Sequence, residues 1–372
     1  EQEFLLVDEP TNHLDQEARE TVKTYLSGKK GFILVSHDRD LLDACIDHIL
    51  VLNRQSIEVQ SGNFSSWEEN KRRRDASAEK ENEKHKKEIV KLEKAARQAK
   101  GWSDQTEKSK IGQKTAGLKP DRGYIGHKAA KMMKRSKILE HRKEDAIREK
   151  EGLLKDVETL AELKMQPLVH HKEVLLEADN LGLRYPESDT WLFQNLKLEL
   201  RKGERVFLHG ANGCGKSTLI KAVLKTAGYG KGAADHFWNF QEQGRLSLAS
   251  GLVISYVSQD TSYLNGSIRK FCEERGLEES LFCAILRQMG VEREQFTKEL
   301  QEYLEGQKKK IQIAESLLTP AHLYLWDEPL NYVDVFTRMQ IEEVLLRYEP
   351  TMLIVEHDAR FRERIATKIV EL

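Results

Sequence analysis

One pattern occurs twice in this chain, about 320 residues apart, and it restricts the possible folds more than any other feature. Phe4-Leu5-Leu6-Val7 runs into Asp8-Glu9-Pro10 and then Asn12-His13-Leu14-Asp15. Leu323-Tyr324-Leu325-Trp326 likewise runs into Asp327-Glu328-Pro329 and then Asn331-Tyr332-Val333-Asp334. A second apolar run follows each: Gly31-Phe32-Ile33-Leu34-Val35 ends at Ser36-His37-Asp38, and Met352-Leu353-Ile354-Val355 ends at Glu356-His357-Asp358. The offset is 319 at Asp8/Asp327 and 320 at His37/His357, which defines an internal repeat. Short unbroken apolar runs read as buried parallel strands, which deliver the polar residues after them to the carboxyl edge of a sheet. The second copy is longer at its front, beginning near Val174, and the same offset places the start of the first copy about 145 residues before Glu1. With no initiating Met, the first copy is expected to be the C-terminal third of an N-terminally truncated domain.

The second copy carries a further signal. Val206-Phe207-Leu208-His209 reads as a strand that enters Gly210-Ala211-Asn212-Gly213-Cys214-Gly215-Lys216-Ser217, and Thr218 to Leu224 reads as a helix. Strand, GxxxxGKS and helix together form the context of a phosphate-binding loop, whose glycines let backbone N–H groups wrap phosphates at the positive end of the helix. Gly210, Asn212, Gly213, Gly215, Lys216, Ser217 and Thr218 are therefore candidate ATP-binding residues. Lys216 would reach the β- and γ-phosphates, and Ser217 would hold Mg²⁺.

Between the copies lies a charged stretch. At 372 residues there is room for two domains, or one domain and part of another. The net charge of −1 conceals 13 Lys or Arg against four acids from Lys100 to Lys143. Such a block points to a polyanionic partner, nucleic acid being the commonest, with a solvated helix surface as the plain alternative. Phe64 to Lys100 has neither Pro nor Gly and reads as a helix with an apolar seam at Ile89, Leu92, Ala96 and Ala99. From about His127 to Lys164, Met132, Leu139, Ala146, Leu153 and Leu160 recur every seven residues. Two arms of about 55 Å with a loop at Gly101–Gly126 make an antiparallel helical hairpin. Lys128, Lys131, Lys134 and Arg135 share one face of the second arm, suited to a phosphate backbone. Lys119, Arg122 and Tyr124 in the adjoining loop are further RNA-binding candidates.

The four cysteines are far apart and form no CxxC pair, which fits a reducing cytosol and suggests neither zinc nor disulfides. No apolar run approaches the roughly 20 residues that cross a bilayer. No membrane association and a cytoplasmic location are the expectation.

On these residues, nearly all of the second copy resembles an ATP-binding cassette domain. The resemblance implies roles. Tyr185 would stack on adenine. Gln259, in Tyr256-Val257-Ser258-Gln259-Asp260, would sense Mg²⁺ and the attacking water. Asp327 would support the metal, Glu328 would activate water, and His357 would contact the γ-phosphate. Glu9 and His37 would play the corresponding parts in the first copy. The family signature, usually Leu-Ser-Gly-Gly-Gln, reads Tyr303-Leu304-Glu305-Gly306-Gln307 here. Leu304 replaces the serine and is a poor helix N-cap, whereas Gly306 and Gln307 still allow contacts to phosphate. Cassettes of this kind pair head to tail, each site using one phosphate loop and the opposite signature. An intramolecular pair is implied for the complete protein, and poor turnover for this chain alone.

Two cassettes joined by such a hairpin resemble the ABC-F proteins, ATPases that bind ribosomes. The stretches Asp121-Arg122-Gly123-Tyr124-Ile125-Gly126-His127-Lys128-Ala129-Ala130-Lys131-Met132-Met133-Lys134-Arg135-Ser136-Lys137 and Trp326-Asp327-Glu328-Pro329-Leu330-Asn331-Tyr332-Val333-Asp334 are similar to its antibiotic-resistance branch. That branch confers lincosamide, streptogramin A and pleuromutilin resistance. It implies binding in the tRNA exit site, contacts to 23S rRNA and P-site tRNA, and relief of drug inhibition at the peptidyl-transferase centre. A housekeeping ABC-F translation factor and the ATPase subunit of an ABC transporter are the alternatives. The expected fold is therefore α/β P-loop ATP-binding cassette domains joined by a long antiparallel α-helical hairpin linker. The expected divisions are residues 1–62 (first-cassette remnant), 63–172 (hairpin, basic tip at about 101–126) and 173–372 (second cassette).

Overall fold

The computed structural model describes residues 4–12, 14–29, 31–52, 57–108, 163–229 and 239–372. They form two compact units, one from Glu1–Ser65 and Leu160–Leu372, the other from Ser66–Thr159.

The first unit opens with β1 (Leu5–Asp8), α1 (Gln16–Ser27), β2 (Phe32–Val35), α2 (Arg39–Cys45) and the hairpin β3 (His48–Leu52) and β4 (Ile57–Ser61). Helix α3 (Phe64–Lys108) leads into the other unit. The chain returns to the first unit as β5 (Val174–Arg184), β6 (Phe193–Arg201), β7 (Arg205–His209), α4 (Lys216–Thr226), β8 (Gln241–Leu248) and β9 (Ile254–Val257). Then come α5 (Ile268–Arg275), α6 (Glu279–Gln288), α7 (Glu305–Leu318), β10 (Leu323–Asp327), α8 (Val335–Tyr348), β11 (Met352–Val355), α9 (Ala359–Ile365) and β12 (Lys368–Glu371).

A parallel five-stranded sheet in the order β12-β7-β11-β10-β9 is the centre of this unit, accompanied by the antiparallel sheet β6-β5-β8. Its strands are continuous apolar runs because both faces are buried. Leu323, Leu325, Leu353 and Val355 pack with Leu219, Ile220 and Val223 of α4 on one face. The intervening Tyr324, Trp326, Met352 and Ile354 pack with Ile341 and Leu345 of α8 on the other.

The repeat is reproduced in the strand register. β1 pairs with β2 so that Asp8 faces Val35, and β10 pairs with β11 so that Asp327 faces Val355. The helices that follow are capped alike. Asp15 and Asp334 accept from Ala18 and Thr337, while Asp38 and Asp358 accept from Leu41 and Phe361. Each such cap contributes about 1 kcal/mol. The copies differ in burial: Leu6 is 77% exposed, whereas its counterpart Leu325 is 0% exposed.

In the second unit the described structure is the body of α3. Glu68–Arg72, Glu69–Arg73 and Glu83–Lys87 form i,i+4 pairs with the acid N-terminal, the favourable order. The helix runs eight residues beyond Lys100, where the sequence suggested a loop from Gly101. One glycine costs a helix about 1 kcal/mol, too little to stop it when the following residues tolerate helix. The side chains of Ile89, Leu92, Ala96 and Ala99, the second hairpin arm and residues 109–126 of the basic tip lie outside the described residues. No described helix is long and apolar enough to cross a membrane.

Candidate functional site

The loop from β7 to α4 has the form expected of a phosphate cradle. Gly210 has φ +150°, and a Cβ there would stand 2.8 Å from both Cys214 Sγ and the Leu372 carbonyl oxygen. Only glycine fits. Gly213 and Gly215 also have positive φ, and α4 starts at Lys216 with no side-chain cap, so its first N–H groups are left for a ligand. Asn212 is exposed on the loop. The Lys216 ammonium donates to the Gly210 and Ala211 carbonyls, both at 2.8 Å. Thr218 Oγ1 lies 3.0 Å from the hydroxyl of half-buried Tyr185, which places that ring beside the loop.

Ser217 Oγ donates to Asp327 Oδ1 at 3.0 Å. Burial pushes the Asp327 carboxyl up to about 6, against the pull of the Ser217 hydroxyl. One hydroxyl and one carboxylate are hard oxygen donors suited to Mg²⁺, which generally takes one or two protein ligands and completes its shell with phosphate and water. Among the described residues no three His, Cys, Asp or Glu side chains converge as a metal cage. A Mg²⁺ ion shared with a nucleotide fits this donor set.

Glu328 is held from two sides. Gln259 Nε2 and Asn331 Nδ2 both donate to its Oε2, at 2.9 and 2.7 Å, and His357 Nε2 lies 3.7 Å from its Oε1. Both Glu328 and Glu9 adopt left-handed backbone, with φ of +49° and +43°. A non-glycine residue there costs roughly 1–2 kcal/mol, and such strain gathers at functional positions. In the first copy, His37 Nε2 lies 3.4 Å from Glu9 Oε1. Burial and the Arg338 charge push His37 down to about 4, so this is a contact of a neutral imidazole and not an ion pair. Burial raises the Glu9 carboxyl. Asp15 stays below the usual carboxylate range through the N–H of Ala18 and then that of Asn212, which brings the first copy against the phosphate loop.

The signature helix α7 has Leu304 at its N-cap position, a residue that is 73% exposed and whose side chain caps nothing. Only half of a capping box forms, the Leu304 N–H donating to Gln307 Oε1 at 3.2 Å. Thr261, just beyond Gln259, donates to Glu305 at 2.7 Å and ties the glutamine loop to the signature. Gly306 abuts the Tyr332 carbonyl.

Several residues of the site were given no role by the motifs they lie in or beside. Asn331 orients Glu328. Glu356 accepts the backbone N–H groups of Leu330, His357 and Asp358, bracing the switch loop. Buried Lys309 donates to Ser258 O at 2.7 Å beside Gln259, and burial lowers its ammonium despite nearby Asp327, Glu328 and Glu356. Asn331 recurs as Asn12, but the repeat puts Ser36 where Glu356 stands, so it gave no signal for Glu356. Lys119, Arg122, Tyr124, Lys128, Lys131, Lys134 and Arg135 lie outside the described residues.

A phosphate loop, a Ser–Asp pair and an oriented glutamate on one sheet edge define a P-loop nucleotide-binding domain of the ATP-binding cassette class. Residues 193–331 match the family model described as "ABC transporter", so the chain carries an ABC ATP-binding domain. Over the whole chain it is similar to the putative ATP-binding protein YdiF of Bacillus subtilis (strain 168), 26% identical over all of this chain and 52% of that one. The ribosome protection protein VmlR of the same organism is 27% identical, over 97% of this chain and 63% of its own length. The archaeal ribosome recycling factor aABCE1, solved in complex with the ribosomal stalk protein aP1, shares the fold with a TM-score of 0.56. It is 17% identical, the match covering 98% of this chain and 57% of that one. The chain thus spans about half to just under two thirds of these relatives' lengths.

Proposed function

We propose that this chain is the ATPase core and linker of an ABC-F protein that binds the ribosome in the tRNA exit site and relieves antibiotic inhibition at the peptidyl-transferase centre. The observation that supports an ATPase most directly is Glu328, fixed by Gln259 and Asn331 beside the Ser217–Asp327 pair. Phosphoryl transfer demands positioning and charge stabilisation more than covalent work. Backbone N–H groups of the loop bind the phosphates, Tyr185 stacks on adenine, and Lys216 exchanges its two carbonyl partners for phosphate oxygens. Glu328 orients water and accepts its proton, while His357 faces the γ-phosphate. Ser217, Asp327 and Gln259 would hold Mg²⁺, which would supply positive charge to offset that of the phosphates. Gly306 and Gln307 would offer phosphate contacts to a second site, and Glu9 and His37 repeat the chemistry in the first copy.

The ribosomal part rests on the basic tip, with Lys119, Arg122, Tyr124, Lys128, Lys131, Lys134 and Arg135 as contacts to 23S rRNA and P-site tRNA. It is also supported by relatives named for ribosome protection and recycling. A cytoplasmic protein is implied. Co-sedimentation of the complete protein, as the Glu9→Gln/Glu328→Gln variant, with ribosomes and ATP tests the partner. ATP-dependent binding is expected, and its absence sinks the ribosomal reading. Drug susceptibility with and without the gene then separates protection from a housekeeping role.

A further inference from the structure

The two switch loops share one buried cluster of charges. Arg39, two residues after His37, is 4% exposed and donates to both carboxylate oxygens of Glu342 on α8, to Oε2 at 3.3 Å; Glu342 is 0% exposed. The same guanidinium lies 3.6 Å from Oδ1 of Asp358, the residue after His357. Arg338 donates to the other oxygen of Asp358 at 3.0 Å and to the His37 carbonyl at 3.2 Å.

Part of this cluster obeys the repeat and part does not. Arg19 with Asp38, at 2.8 Å, restates Arg338 with Asp358 within the first copy. The repeat puts Ala359 where Arg39 stands and Lys23 where Glu342 stands. The link across copies therefore has no mirror image. A buried ion pair is poor evidence of stability, since apolar residues of similar volume often do as well. What it supplies is one defined geometry.

We propose that Arg39 is a positioning residue that holds the second copy's switch loop, and with it His357, from the first copy. This rests on the ATPase reading above. Asp358 caps α9 through Phe361 N at 2.9 Å, so moving Asp358 moves both His357 and the start of that helix. Coupling between sites is reciprocal for binding; among the described residues the second switch carries an arginine from the other copy on its aspartate, whereas Arg338 and Arg360 of the second copy reach the first through the His37 carbonyl and through Asp40 and Asp43 of α2.

The test compares the whole chain with Arg39→Met, Arg39→Lys and the double variant Arg39→Met/Glu342→Met. The double variant leaves no unpaired carboxylate at position 342, and Arg364, whose side chain is 35% exposed, can turn from Glu342 to water. Hydrogen exchange is read at residues 355–361 and at the phosphate loop, residues 210–226. In the double variant, exchange at 355–361 should rise about tenfold with the phosphate loop unchanged, within the usual range of coupling energies. Arg39→Lys should recover part of the protection. In the complete protein carrying the same substitutions, turnover should fall in kcat with KM held. Unchanged exchange at 355–361, an equal rise across the whole cassette, or faster exchange with unaltered kcat would each overturn the proposal. Binding of Mg²⁺ with a fluorescent ATP analogue separates the two readings. A wild-type chain that binds no nucleotide removes the ATPase reading, and exchange alone then decides the link.

Discussion

Gly306 lies directly against Tyr332: a Cβ on Gly306 would stand 2.4 Å from the Tyr332 carbonyl oxygen. The obstacle is backbone and cannot swing aside. Replacing glycine by alanine inside a helix ordinarily gains up to about 1 kcal/mol. At this position the sign should reverse. Gly306→Ala is expected to lose about 1–3 kcal/mol, as overpacking does, seen as a lower urea midpoint at constant slope.

Leu304 suggests a substitution in the stabilising direction. Its N–H already meets Gln307 Oε1, and only an acceptor on its own side chain is lacking. Leu304→Ser should complete the capping box and raise stability by about 1 kcal/mol. In the complete protein it should also raise ATP turnover, because a serine there can reach a γ-phosphate. Turnover that stays flat would show that this signature takes no part in hydrolysis.

The Asp327 carboxyl is expected to make nucleotide binding depend on pH. Pushed up to about 6 by burial, it keeps a proton in the folded domain that an unfolded chain gives up near 3.8. Folded-state stability therefore falls as pH rises from about 4 to about 6, by at most about 3 kcal/mol. Asp327→Asn should remove that slope. On the proposed role of Asp327 at Mg²⁺, which calls for the carboxylate, affinity for a Mg²⁺–ATP analogue should weaken several-fold from pH 7.5 to pH 5.5. The same titration in EDTA should change less.

His37 works in the opposite sense. Held near 4 when folded, it stays neutral while an unfolded histidine takes a proton near 6.5. Stability is lost as pH falls through that window. Relative to wild type, His37→Gln should flatten acid destabilisation between about 6.5 and 4, whereas Asp327→Asn should steepen it. Thermal melts of the two variants across this range check both signs.

Much of the candidate nucleotide site was legible because its parts are local. The loop from Gly210 to Ser217 is a strand, a glycine spacing and a helix in one stretch, and the repeat marked Glu328 and His357. The order of β1, β2, β10 and β11 followed from the same apolar runs. What stayed hidden depends on distance. Lys308-Lys309-Lys310 reads as a basic run, yet each has a different partner: Glu305, the Ser258 carbonyl, and Asp334 with the Met289 carbonyl. Glu342 and Arg39 are ordinary charged residues until α8 and α2 bring them together from 303 positions apart. The end of α3 was missed because a single glycine is a weak stop.

The left-handed backbone of Glu9 and Glu328 also bears on how such a chain can change over time. Glycine at either position would relax the main chain and delete the carboxylate in one step. Drift toward a firmer fold therefore runs directly against retention of the acid, and it does so at both copies. A lineage that stopped using one of the two sites would have nothing to hold glutamate there. Glycine, asparagine or aspartate, the residues that tolerate positive φ, would then be the expected replacements. The identity of residue 9 across related chains is thus a record of whether the first switch is still in use.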